Sequence, residues 1–176
     1  MLNFACVYYG DKYTFPYVRN LHSMVERNLT VPHRFICFTD NTIIHRRKEF
    51  KNTNIEFKPF KRHDFNGWFN KLQLFSPQSE LEGDTLYMDL DVVIMKNIDC
   101  FATIGKSKNF VGMNDFNPTT GNFNSSIMRF NNQYHSIIWE QYLKKRTEFN
   151  NSHGDQEIIS SLIKKHEDTI SFPDEW

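Results

Sequence analysis

The sequence carries no net charge, since 21 Lys and Arg residues balance 21 Asp and Glu. A neutral chain lacks the broad positive field on which nucleic-acid binding draws, so no nucleic-acid partner is expected. Two local basic clusters, His45-Arg46-Arg47-Lys48 and Lys144-Lys145-Arg146, read as solvated faces. Cysteine is scarce: Cys6, Cys37 and Cys100 form no C-x-x-C pair and leave one unpaired whichever two bond. That excludes a disulfide framework and predicts a reducing, cytoplasmic setting. No apolar stretch approaches the roughly 20 residues that a membrane span requires. The opening Met1-Leu2-Asn3-Phe4 lacks the basic and long apolar regions of a signal peptide. Any contact with a membrane is therefore expected to be peripheral. No glycine-rich loop with a basic residue follows the first apolar run, which argues against phosphate cradles of that kind.

What is present is an apolar, Phe-rich chain of 176 residues, enough for one domain (1–176) with a substantial core. Its patterns alternate. Leu2 to Tyr9 is a buried-strand run closed by Gly10-Asp11. Tyr17, Val18, Leu21, Val25 and Leu29 recur at helical spacing before Pro32. Strands are predicted over His33 to Thr39, Asn54 to Phe57, Thr85 to Met88, Asn109 to Met113 and Ser125 to Phe130. Helices are predicted from the apolar faces Trp68/Leu72/Phe75, Tyr134/Ile137/Ile138/Tyr142 and Ile158/Ile159/Leu162/Ile163. Helix-separated strands imply an α/β fold, a mainly parallel sheet with helices on both faces.

The most informative triplet is Asp89-Leu90-Asp91. It interrupts an apolar run, which resumes as Val92-Val93-Ile94-Met95, so it marks the point where a buried strand emerges. In a strand-like segment residues two apart share a face, and both carboxylates then reach one point. Two partly desolvated carboxylates repel unless a cation lies between them, and a hard divalent ion with oxygen ligands supplies it. Ligands of open α/β sheets bind beyond the carboxyl ends of the strands. Tyr8, Tyr9, Asp11 and Asp40 all follow predicted strands. The tyrosines either pack as strand residues or stack on a base. Asp40 serves as a turn residue or accepts from a base.

In chain order, Val7-Tyr8-Tyr9-Gly10-Asp11-x-Tyr13, Phe35-Ile36-Cys37-Phe38-Thr39-Asp40, Trp68-Phe69-Asn70-Lys71-Leu72, Leu86-Tyr87-Met88-Asp89-Leu90-Asp91-Val92-Val93, Phe123-Asn124-Ser125-Ser126-Ile127-Met128 and Gly154-Asp155-Gln156 span nearly the whole sequence. Together they resemble the GT-A glycosyltransferases, in particular glycosyltransferase family 8, which includes bacterial galactosyl- and glucosyltransferases and glycogenin. The resemblance implies a Rossmann-like nucleotide half and an acceptor half. It implies Mn²⁺ or Mg²⁺, a nucleotide-sugar donor that is usually a UDP-hexose, a carbohydrate-type acceptor, and retention of configuration.

By motif, Asp89 and Asp91 resemble the family's metal pair, with Asp91 the more certain direct ligand. Lys71 stands where the family places a basic residue towards the donor phosphates or sugar; otherwise it is a solvated helix lysine. Asn124 begins the strand whose counterpart touches the donor sugar. Asp155 and Gln156 resemble the acidic–amide pair near the anomeric centre, and Asp155 is also suited to satisfying backbone N–H groups at a helix start. The resemblance further implies that the fold continues past Trp176 to a late histidine ligand. The sequons at Asn28, Asn124 and Asn150 read as coincidental, because a glycan on Asn124 would block the site.

Two rival classes stay in view. The first is a phosphatase or nucleotidyltransferase: haloacid-type phosphatases place D-x-D after the first strand, whereas that strand here ends in Tyr-Tyr-Gly-Asp, and a sugar-activating nucleotidyltransferase would want a Gly-rich loop with a basic residue there, which is missing. A binding protein of the same fold, holding a nucleotide sugar or glycan without turnover, is the alternative to an enzyme.

Overall fold

The computed structural model describes residues 1–105, 110–117, 119–151, 153–164, 166 and 168–174. Asn109, expected to open a strand, Pro118 of the 114–122 loop, and Ser152 of the Asn150 sequon lie outside the described residues.

Among the described residues seven strands form one sheet in the order β3-β2-β1-β4-β6-β5-β7. They are β1 (Leu2–Tyr8), β2 (His33–Thr39), β3 (Ile55–Pro59), β4 (Asp84–Met88), β5 (Phe110–Asn114), β6 (Phe123–Asn131) and β7 (Thr169–Ser171). β1 pairs in parallel with β2 and β4, β2 with β3, and β5 with β7. Only β6 runs the other way, antiparallel to both β4 and β5. The carboxyl ends of β1, β2, β4 and β5 therefore share one edge with the start of β6.

The central strands read as continuous apolar runs because both faces are covered. Phe4 and Cys6 face one core layer, with Val18, Leu21 and Val25 of helix α1 (Phe15–Asn28) laid against them. Pro16 stands in the first turn of α1, where its missing N–H costs nothing. Ala5 faces the second layer, where Leu72, Phe75, Tyr142, Ile158 and Ile163 pack. Each fully buried side chain of this size contributes about 1.5–3 kcal/mol. The helices on both faces match the sequence-based expectation.

Three details differ from the periodicity. The segment Gly67–Phe75 is a 3₁₀ helix of 9 residues. Asn70 to Phe75 are all buried there, so its polar side chains must be paired internally. The Gln73 amide donates to Arg62 O and Asn70 Oδ1, and Asn70 Nδ2 donates to Gly67 O. The helix expected from Tyr134 begins as a π-helix over His135–Glu140 before α3 (Gln141–Lys144). Ile138 and Trp139 are both buried there.

Third, Val92 to Met95 do not resume a strand. A turn closed by Val92 N on Asp89 O redirects the chain. It then runs back along α1, with Ile94 N against Met24 S at 3.4 Å and Ile98 N on Asn28 O, so Val93 and Met95 are left exposed.

After α3, α4 (Arg146–Asn150) leads to α5 (Asp155–Ile163). The short α2 (Asp99–Thr103) precedes β5. Among the described residues no helix is long and apolar enough to cross a membrane.

Where β6 enters the sheet edge, its pairing with β5 shifts at Gly112/Met113. A Cβ on Gly112 would stand 2.9 Å from Phe123 Cδ1. Gly112→Ala is expected to push Phe123, and with it the neighbouring Asn124, out of place. The expected cost is about 1–3 kcal/mol, read as a lower urea midpoint at unchanged slope.

Candidate active site

A cleft of about 320 Å³ opens at the shared strand edge, lined by Val7 and Tyr9 from the end of β1, Tyr87, Asp89 and Leu90 from the end of β4, Ser125 of β6, and Asp155 and Gln156 opening α5. Lys12, Tyr13, Gly67, Trp68 and Lys71 complete it.

Its floor is a buried charge cluster. The Lys71 ammonium lies 3.1 Å from Asp89 Oδ1 and 3.0 Å from Asp155 Oδ2. It also donates to Ser125 Oγ at 3.0 Å and Ser125 O at 3.3 Å. The Ser125 hydroxyl donates to Asp155 Oδ2 at 2.8 Å, and the Tyr87 hydroxyl to Asp89 Oδ1 at 2.5 Å. Gln156 Oε1 accepts from Ser125 N at 3.4 Å. Burial pulls the Lys71 pKa down, but the Asp155 and Asp89 carboxylates outweigh it and hold the ammonium above its ordinary range. Burial first, and Asp89 second, push the Tyr87 phenol well up, so it stays a donor.

The second carboxylate of the triplet behaves differently. Asp91 is exposed and accepts from the Tyr13 hydroxyl at 2.5 Å. The Tyr13 ring packs against Tyr17, and the Lys12 ammonium sits over it at 4.6 Å. The triplet forms a turn rather than a strand, so period-two spacing does not govern it. Asp89 looks inward to Lys71 and Tyr87, and Asp91 outward to Tyr13.

The other sequence-derived residues divide. Tyr8 and Tyr9 point to opposite faces, as neighbours on a strand must. Tyr9 packs on the second core layer and lines the cleft, whereas Tyr8 packs on the α1 side. Asp40 Oδ2 accepts from Gly10 N at 3.3 Å, which ties the β1 and β2 ends together, and Asp11 is exposed. Neither aspartate lines the cleft. Asn124 is buried and caps its own strand, its Oδ1 accepting from Ser126 N at 2.9 Å.

Among the cleft residues not singled out from sequence are Tyr87, Ser125, Lys12, Tyr13 and Trp68. Tyr87 carried a signal, since it stands two residues before Asp89. Trp68 was expected on a core-facing helix stripe with Leu72 and Phe75. Those two are buried, but Trp68 is 64% exposed at the cleft mouth.

The donor set bears on the implied metal. Among the described residues no group of three or more His, Cys, Asp or Glu side chains converges. Asp89 and Asp91 supply hard oxygens only, and Asp89 Oδ2 has just a 3.5 Å contact with Lys71. By donor chemistry such a pair fits Mg²⁺ or Mn²⁺, which keep positions for water and phosphate, and not a closed structural site, although the two carboxylates turn to different partners here and do not converge.

No protein-family model and no curated protein sequence matches the chain. Solved structures do. The glycosyltransferase GlyE of Streptococcus pneumoniae TIGR4 aligns with a TM-score of 0.67 at 16% identity, covering 99% of this chain and 46% of that one. This chain thus spans about half the length of GlyE. The galactosyltransferase LgtC, in complex with donor and acceptor sugar analogs, aligns at 0.62 and 12% identity, covering 99% of this chain and 74% of that one. The PaToxG glycosyltransferase aligns at 0.63 and 12%, with 94% and 68% covered. The chain thus has a fold shared with glycosyltransferases, the GT-A fold that the ordered sequence motifs resemble.

Proposed function

We propose that the chain is a metal-dependent hexosyltransferase that moves a sugar from a nucleotide donor, a UDP-hexose, to a glycan or to a lipid- or protein-linked acceptor, with retention of configuration. The observation that carries this reading is the Lys71–Asp89–Asp155 cluster beside Gln156, set next to the exposed Asp91 at the strand edge where this fold opens its cleft.

Glycosyl transfer builds positive charge at the anomeric carbon and negative charge on the departing diphosphate. Asp89 and Asp91 would hold Mn²⁺ or Mg²⁺, which supplies Lewis-acid stabilisation of that leaving group. The chain's own groups do the rest. Lys12 at the cleft mouth is a cation within reach of phosphate. Tyr13 fixes the Asp91 carboxylate by its hydrogen bond. Lys71 holds Asp89 and Asp155 in place and balances their charge in the interior, leaving the Asp155 carboxylate and Gln156 amide to face the anomeric centre. A fixed carboxylate there stabilises an oxocarbenium-like centre without reorganisation. Tyr9 is the β1 aromatic that reaches the cleft and would stack on the donor.

The test is thermal unfolding with UDP, GDP, ADP and CMP, each with and without Mn²⁺. Ligand at about 100 times its Kd adds about 2.7 kcal/mol to the native state. For a chain of this size that is a rise of about 5–10 °C. UDP with Mn²⁺ is expected to give it, and Asp91→Asn to remove it. A chain whose midpoint ignores every nucleotide with and without Mn²⁺ would not be a nucleotide-sugar enzyme.

A further inference from the structure

The geometry points to Trp68 as the stacking platform for a sugar ring at the reacting end of the acceptor, which makes the acceptor a carbohydrate rather than a peptide or a simple lipid alcohol. The inference rests on the proposed transfer reaction and names its acceptor class.

Among the described residues the large exposed apolar side chains are Met1, Tyr17, Ile43, Trp68, Val93, Met95 and Phe116, and of these only Trp68 lines the cleft. An indole left open to water gives up the burial that normally accounts for a Trp in a sequence. Here the exposure is built in before any ligand arrives. Gly67 holds φ +55, a left-handed conformation that turns the chain outward just before Trp68. Asn70 Nδ2 donates to Gly67 O at 3.1 Å and to Phe65 O at 3.3 Å, pinning that turn to the buried 3₁₀ segment. The Phe69 ring, 6.3 Å away and tilted by 51°, supports the indole on one side.

The location is specific. Lys71, Asp89 and Asp155, all little exposed, form the floor, and Trp68 forms the rim above them. Its Nε1 would lie 3.8 Å from a Cβ on Gly154, the residue immediately before Asp155 and Gln156. The indole N–H donates to no group among the described residues. A group entering from solvent towards the anomeric centre therefore meets an apolar face with a free N–H at its edge. A pyranose ring offers the complement, an apolar face of C–H bonds ringed by hydroxyl acceptors. A peptide Ser or Thr hydroxyl presents no such face.

The experiment combines three readings on the whole chain. Lactose, cellobiose and maltose are titrated with and without UDP and Mn²⁺ while tryptophan emission is followed. Of the two other tryptophans, Trp139 is buried and stacked on Phe65 and Trp176 lies outside the described residues, so the Trp68→Phe variant is the control for both. At least one disaccharide is expected to give a saturable emission change in the parent protein that is missing in Trp68→Phe. Calorimetry then ranks affinity: Trp68→Leu should bind that disaccharide about tenfold more weakly, and Trp68→Phe within about threefold, since stacking needs an aromatic face. The UDP–Mn²⁺ rise in melting midpoint should persist in Trp68→Leu. An emission change that survives in Trp68→Phe, equal affinity of the Leu variant, or no response to any disaccharide while UDP–Mn²⁺ still shifts the midpoint would each overturn the platform. Loss of the UDP–Mn²⁺ shift in Trp68→Leu would also overturn it, by moving Trp68 to the donor. If the donor reading alone fails, the parent protein shows no UDP–Mn²⁺ shift but keeps the emission response, so the two failures are separable.

Discussion

Lys71→Met is expected to destabilise the protein by about 3–5 kcal/mol, the cost of leaving buried charges without their partner. At about 2–4 °C per kcal/mol for a chain of this size, the melting midpoint should fall by about 6–20 °C. The reason lies in the cluster's geometry. The ammonium is shared between Asp89 and Asp155, and its removal leaves two partly desolvated carboxylates facing each other across the cleft floor with one hydroxyl each to hold them. Methionine keeps most of the volume of the lysine stem, so the loss reports on charge rather than on a cavity. A double variant, Lys71→Met with Asp155→Asn, should be less destabilised than the sum of the two singles, by about 0.5–3 kcal/mol, because the second change removes one of the carboxylates stranded by the first. Strict additivity would mean that the ammonium and the Asp155 carboxylate do not interact.

The same cluster has a pH signature. The folded-state pKa of Lys71 is raised above the ordinary lysine value of 10.5. Its contribution to stability is therefore fully present below that value and is lost as pH rises through the higher folded value. The stability difference between the parent protein and Lys71→Met should stay level through neutral pH and shrink only at strongly alkaline pH, as followed by urea unfolding. A difference that vanished near pH 7 would show that the ammonium is not held charged in the interior.

The sequence made the sheet legible because burial on both faces writes strands as unbroken apolar runs. Leu2–Tyr8, His33–Thr39 and Asp84–Met88 needed little beyond that. It also marked Asp89 as the point where a buried strand emerges, but not the turn that sends Asp89 and Asp91 in different directions. What it could not supply were partners distant along the chain. Lys71 meets Ser125 and Asp155 through the crossing of the 3₁₀ segment with β6 and α5, and no local spacing encodes that crossing. Trp68 was misread for the opposite reason. Its spacing to Leu72 and Phe75 suits a helix stripe, but the segment winds as a 3₁₀ helix after a left-handed glycine, and its first side chain swings out of the stripe. Tyr8 and Tyr9 show the limit of reading a strand end as a unit: the pleat sends one to the cleft and the other to the α1 face.

Asp155→Asn is expected to lower the rate of UDP release from the preferred UDP-hexose by about 10²–10³-fold at saturating donor. The substitution keeps the shape of the side chain and leaves an oxygen able to accept from Ser125 Oγ, which lies 2.8 Å from the carboxylate. It removes the negative charge that the proposed mechanism places opposite the developing oxocarbenium. The effect should therefore fall on kcat, with the UDP–Mn²⁺ rise in melting midpoint kept, because in the proposed mechanism the leaving group is held by the ion on Asp89 and Asp91. Asp91→Asn should give the reverse order of effects, with donor binding lost first. Some loss of stability is expected in Asp155→Asn, since Lys71 then has Asp89 alone as a charged partner. The rate is accordingly measured well below the variant's own midpoint. A kcat within threefold of the parent would remove Asp155 from the chemistry and leave it as the residue that holds Lys71 in place.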